Sequence, residues 1–223
     1  MPAPRTHWYV AEGATGSFFN TFLLLANPNA SPTTATIRYL LPGGQVVTRT
    51  QPLAAQSRTT INVNTVVPNT EVSMDVSAPL PIIVERAMYW PGSNWNEAHA
   101  SAGIESTGTM WGLPEGELGG SRGFQTYVLI ANPSASAASV RLRFMVENGA
   151  SFVTPTFTVP ANSRVTRAAA EYMGAGQLTD GARFGVVVES MNGVPLAVEH
   201  AIYWNGGGEF WGGGSNETGV KIR

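Results

Sequence analysis

Val84-Glu85-Arg86-Ala87-Met88-Tyr89-Trp90 recurs 114 positions later as Val198-Glu199-His200-Ala201-Ile202-Tyr203-Trp204. Both copies follow a proline, Pro81 and Pro195, and both run out into glycine-rich stretches. Two copies this far apart in a 223-residue chain indicate a duplicated folded unit, because solenoid repeats are shorter.

Working outward, Trp8-Tyr9-Val10-Ala11-Glu12-Gly13 matches Trp111-Gly112-Leu113-Pro114-Glu115-Gly116 at an offset of 103. The stretches ending in Ala26-Asn27-Pro28 and Ala131-Asn132-Pro133 match at 105. The growing offset places small insertions in the second copy, between strands, where loops tolerate them. The expected units are residues 6–105 and 110–223, each large enough to bury its own core. The linker Glu105-Ser106-Thr107-Gly108-Thr109 is short, so the units are expected to sit as serial beads with limited swing.

Within a unit, Ala35, Ile37, Tyr39 and Leu41 alternate with polar or outward positions, as do Val140, Leu142, Phe144 and Val146. Alternation of period two marks strands with one face in a core. Pro42-Gly43-Gly44 and Glu147-Asn148-Gly149 are expected to close hairpins. Short helical turns are expected at Asn64–Val67 and Ala168–Met173, and Ala78-Pro79-Leu80 and Asn192-Gly193 read as turns into the repeated strand. The glycines around Trp211 read as a flexible loop, followed by an edge strand near Thr218–Ile222. About seven short strands per unit, at this spacing, predict two tandem antiparallel β-sandwiches in an all-β protein.

The composition narrows the function. Charged residues are 13% of the chain and the net charge is −2, which offers no basic surface for nucleic acid. Lys221 is the only lysine against twelve arginines, a bias of GC-rich codons. The only aspartates are Asp75 and Asp180, too few for a dedicated calcium site. There is no cysteine, which removes disulfides and thiolate metal sites. No apolar run is long enough for membrane insertion, and Met1-Pro2-Ala3-Pro4-Arg5 is not a signal peptide. If the natural protein is secreted, the chain is expected to be a piece of something longer.

Histidines occur only at His7, His99 and His200, without a nucleophile elbow or zinc spacing, so neither a catalytic triad nor a metal centre is expected. Glu12 and Glu85 across a cleft would suit glycosidase chemistry, a reading set aside because small sandwiches rarely offer a cleft. Trp90, Trp95, Trp204 and Trp211 lie at or beyond the end of the repeated strand and are the candidate ligand contacts, by stacking on sugar faces. The competing reading makes them plugs and loop covers. Glu85 and Glu199 stand among apolar neighbours. If Val84, Met88 and Trp90 face the core, Arg86 or His200 intrudes there; if the faces are reversed, the glutamate is buried. Either way a charge adjoins the interior and needs a partner, with Arg58 and Arg164 the candidates by type. Both glutamates are expected to be structural, so Glu85→Gln should lower the melting temperature.

The signature Trp8-Tyr9-x-Ala11-Glu12-Gly13, the strand closed by Asn27-Pro28, and Val84 through Trp90 resemble a family of repeat domains in secreted and cell-surface bacterial proteins. Those domains are mostly of unknown function. The likeness is close over residues 8–104. In the second copy Gly112, Pro114 and His200 replace Tyr9, Ala11 and Arg86. The resemblance implies immunoglobulin-like sandwiches outside the cell and supplies no catalytic residues. The expectation is therefore a non-catalytic structural or adhesive module of a larger bacterial protein, with no cofactor and no metal. Its partners would be other cell-surface proteins or polysaccharide, and the alternative is a carbohydrate-binding module using the loop-end tryptophans.

Overall fold

The computed structural model describes residues 3–147, 149, 151–174 and 176–223. It is nearly all β, with every ladder between named strands antiparallel. The first half holds β1 (Arg5–Val10), β2 (Asn20–Asn27), β3 (Thr33–Leu40), β4 (Val46–Leu53), β5 (Ser57–Asn62), β6 (Ser73–Trp90) and β7 (Glu97–Ala102). The second half holds β8 (Met110–Leu113), β9 (Glu117–Leu118), β10 (Gln125–Asn132), β11 (Ala138–Val146), β12 (Ser151–Val153), β13 (Phe157–Val159), β14 (Ser163–Ala168), β15 (Ala182–Ser190), β16 (Ala197–Gly206), β17 (Glu209–Thr218) and β18 (Val220–Lys221). Short 3-10 turns lie at Val63–Thr65, overlapping the start of the expected Asn64–Val67 turn, and at Ala169–Tyr172, inside the expected Ala168–Met173 turn.

The long strand β6 belongs to two layers. Its start pairs with β1 and β3, and its end pairs with β2 and β7. Trp8, Ile37, Tyr39, Met74 and Val76 from one layer meet Leu23, Leu25 and Val84 from the other in one core. In the second half the same division falls between β15 and β16. β15 joins β8, β9 and β11, while the other layer runs β14-β10-β16-β17.

Two turn expectations need correction. Ala78-Pro79-Leu80 is no turn, because β6 runs through it. Pro79 and Pro81 have no N–H to donate, and the strand changes partners around them without stopping. The glycine-rich C-terminal stretch is a loop only at the two-residue turn Gly207-Gly208; Gly206 ends β16, and Gly212, Gly213 and Gly214 lie within β17. Glycine is required there because aromatic rings lie directly on its backbone. A Cβ at Gly213 would sit 2.5 Å from Trp204, one at Gly214 2.9 Å from both Trp90 and Tyr203, and one at Gly212 2.2 Å from the Gly206 carbonyl. The expected edge strand near the C-terminus is β18, paired to β8. Asn148, in the expected Asn-Gly turn, lies outside the described residues.

The halves are not beads in series. Ala11, Trp90 and Ile104 of the first half join the apolar cluster of the second, among Leu129, Ala201 and Tyr203. The outward face of β10 and β16 is covered by residues 11–19 and by the far end of β6. A short linker brings two faces into register, and burying both stabilises more than leaving both in water.

Candidate functional site

The densest polar chemistry of the protein lies inside this junction. β6 places Arg86 on its inward face, after Ile82 and Val84. The guanidinium is fully buried. Its Nη2 donates to Glu12 Oε2 at 2.6 Å, Ser101 Oγ at 3.1 Å and Asn216 Oδ1 at 2.6 Å. Its Nη1 donates to His99 Nδ1 at 2.7 Å. Arginine has no acceptor, so that contact leaves the proton of His99 on Nε2, which lies 3.1 Å from the Tyr203 hydroxyl. Tyr203 in turn donates to Glu12 Oε1 at 2.9 Å. Arg86, His99, Tyr203 and Glu12 thus form a closed circuit of donors and acceptors.

Glu199 completes the junction from the second half. It is fully buried, and Arg86 Nη2 lies 3.7 Å from its Oε2. The Ala11 N–H donates to its Oε1 at 2.9 Å, and the Glu12 N–H and Asn216 Nδ2 donate to its Oε2 at 3.3 Å each. Burial raises the Glu12 and Glu199 carboxyls above the ordinary range, against the pull of Arg86. Burial, and then the Arg86 charge, hold His99 down to about 2, so it is neutral. Burial and the nearby Glu12 push the Tyr203 phenol well above its ordinary value.

Beside this cluster is a cavity of about 270 Å³, lined among others by Glu12, Glu71, Phe19, Tyr127, Arg164 and Trp211. Arg164 is 1% exposed and pairs with Glu71 at 2.8 Å, while its Nη2 donates to Thr166 at 2.8 Å. Burial lowers the Arg164 pKa. The cavity therefore has aromatic walls and one exposed carboxylate, Glu71, and its guanidinium is already engaged.

The residues singled out by the sequence fall in different places. Glu85 and Glu199 share a repeat position but not an environment: Glu85 is exposed on the outer face of β6, and Glu199 is buried. Of the two faces left open for the repeated strand, Val84, Arg86, Met88 and Trp90 take the inward one. Arg58 is exposed on β5 and makes no ion pair among the described residues, so it is not the partner of Glu85. Glu12 and Glu85 lie on opposite faces of the sheet and do not frame a cleft.

Trp90 is wholly buried and its Nε1 donates to the Trp211 carbonyl at 2.7 Å. Trp204 is half-buried against Phe124, with ring centres 5.5 Å apart. Trp211 stacks on Tyr203 at 4.6 Å and on Phe210 at 4.9 Å. Trp95 alone of the four is largely open, at 48% exposure.

Sequence reasoning missed the role of the paired Asn-Pro steps. Asn27 Nδ2 donates to the carbonyls of Ser31 and Ala54, and its Oδ1 accepts from the Asn29 N–H. Asn132 repeats the pattern with Ser136, Pro160 and Ser134. Both are buried clamps that tie two loop segments together. Their recurrence in both copies was the available signal.

No family model matches the sequence, and no curated protein matches it. Among solved structures, one described as Thermotoga maritima 1070 is similar at 11% identity and a TM-score of 0.44, over 47% of this chain and 97% of that one. The Anabaena sensory rhodopsin transducer is similar at 17% identity and a TM-score of 0.35, over 39% and 90% of the respective chains. A Bacteroides uniformis beta-glucuronidase 2 covers 89% of this chain but only 24% of its own, at 9% identity and a TM-score of 0.22. Scores this low carry no functional argument.

Proposed function

We propose that the chain is a non-catalytic structural repeat module of a larger surface or secreted bacterial protein, two immunoglobulin-like sandwiches locked into one stiff unit. The junction carries this reading. Its charged groups are spent on one another: Arg86 bonds carboxylate, amide and imidazole partners from both halves. A module built to hold two sandwiches at a fixed angle needs such a junction, and a flexible pair of domains does not. Placement outside the cell rests on the resemblance of the repeated motifs.

Urea unfolding followed by far-ultraviolet circular dichroism and by tryptophan fluorescence tests the stiff unit. One transition, coincident by both probes, is the expected result. Two separated transitions would leave a jointed pair and remove the stiff-unit reading.

The exposure of Trp95 supports a second reading, carbohydrate binding. Pull-down on insoluble polysaccharides decides it: retention lost in Trp95→Ala would favour a binding module, and no retention on a broad panel would remove it.

A further inference from the structure

We infer that the outward face of β2, β6 and β7 in the first half is a docking surface for a further repeat of the same kind, offering the end that carries Phe18, Phe19, Arg86 and Trp90 in this chain. The inference rests on the repeat-module reading above.

The two halves build the same aromatic triad on the same outward face. In the first half, Trp95 stacks on Tyr89 with ring centres 5.1 Å apart at 29°, and Phe22 meets Tyr89 edge-on at 5.7 Å and Trp95 edge-on at 5.6 Å. In the second, Trp211 stacks on Tyr203 at 4.6 Å and 21°, and Tyr127 meets Tyr203 edge-on at 6.0 Å and Trp211 edge-on at 6.1 Å. Trp95 and Trp211 also share a left-handed backbone, with φ of 52° and 51°. That conformation is costly for a bulky residue, and the backbone adopts it at both positions, in a loop at Trp95 and within β17 at Trp211, with the indole laid on the tyrosine.

In the second half this triad is covered. Phe18 and Phe19 pack on Trp211 at 5.7 and 5.9 Å, Trp90 meets Tyr203 at 5.3 Å, and Trp90 donates to the Trp211 carbonyl. Next to the triad, Glu199 receives two backbone N–H groups and faces Arg86. In the first half the equivalent surface is open: Trp95 is 48% exposed, and Glu85, at the position of Glu199, faces solvent. A carboxylate beside a bare aromatic platform matches a partner that brings a cation and aromatic rings together, as the Arg86 end does. One link is missing, because Ala100 stands at the register position of Asn216. The partner's arginine would then lean on Glu85 alone.

A second copy of the chain cannot supply this end without opening, since its own second half occupies it. The test therefore adds a copy of residues 3–109 ahead of the full chain, keeping the natural linker sequence, and follows oxidative labelling of each tryptophan by mass spectrometry. Labelling of Trp95 in the original first half is expected to fall to the rate of Trp211. Glu85→Lys in the same chain is expected to return it to the rate seen without the added repeat, with the parent's unfolding midpoint unchanged. An unchanged Trp95 rate overturns the inference, whether the added repeat is folded or protease-sensitive. Protection of Trp95 by an oligosaccharide but not by the added repeat overturns it in favour of the sugar reading. Two unfolding transitions in the parent chain would instead sink the stiff-module reading, and the labelling result stands apart from that.

Discussion

Arg86 and Asn216, 130 residues apart in the chain, meet through a 2.6 Å hydrogen bond from Nη2 to Oδ1 in a space closed to solvent. A bond of this kind ties the position of one half to the backbone of the other, since Asn216 also donates to the His200 carbonyl.

Replacing Arg86 by methionine should destabilise the protein by about 3–5 kcal/mol, because Glu12 and Glu199 would remain buried without their cation. Replacing all three, with Glu12→Gln and Glu199→Gln beside Arg86→Met, should recover much of that loss. Urea midpoints read both outcomes, and an isolated Arg86→Met costing under about 1 kcal/mol would contradict a buried ionic junction.

The two repeated glutamates should respond differently. Glu199→Gln disturbs acceptors for two backbone amides and an asparagine, and should lower the melting temperature. Glu85→Gln, on an exposed face, should leave it within the scatter of surface substitutions, about 0.5 kcal/mol. The expectation that Glu85 anchors the fold is corrected accordingly; differential scanning calorimetry of both variants compares them directly.

Acid should act through His99. His99 is held down to about 2, while in the unfolded chain it titrates near its ordinary value of about 6.5. The unfolded state therefore takes up the proton first. The contribution of His99 is complete above about 6.5 and is lost as pH falls toward its folded value, by up to ~1.4 kcal/mol per pH unit. Glu12 and Glu199, raised by burial, act in the opposite sense: they stabilise most when protonated and lose that as pH rises through their folded values. The difference between wild type and His99→Asn isolates the histidine. That difference should shift against wild type between pH 7 and 5, and a constant difference would mean that His99 is not neutral in the fold.

Gly212→Ala should cost more than Gly207→Ala. The first puts a Cβ 2.2 Å from the Gly206 carbonyl, which is backbone and cannot swing away. The second meets nothing within 4 Å among the described residues and bears the strain of its φ of +61°. A loss of about 2–3 kcal/mol against about 1 is expected in thermal unfolding, and equal losses would show that β17 can slide.

Much of the fold was legible. Ala35, Ile37 and Tyr39 alternate in the sequence and are all fully buried, because period-two alternation follows from strand geometry alone. The site was less legible. Glu85 and Glu199 are the same residue at the same repeat position, and their environments diverge only because one half covers the other. No local pattern encodes that contact. β17 was misread for the opposite reason: glycine usually marks a turn, and here its missing side chain makes room for Trp90, Tyr203 and Trp204, each contributed from elsewhere in the chain.

The glycines of β17 also bear on how the protein can be cut. A boundary drawn by composition would fall near Gly206, as though dispensable tail began there. It would remove Asn216 from Arg86, strip the backbone beneath three aromatic rings and unpair β16 along one edge. The stretch of lowest sequence complexity is thus the poorest place to truncate, graft or append, and a fusion partner belongs beyond Arg223 instead, whose carbonyl still accepts from the Thr109 N–H.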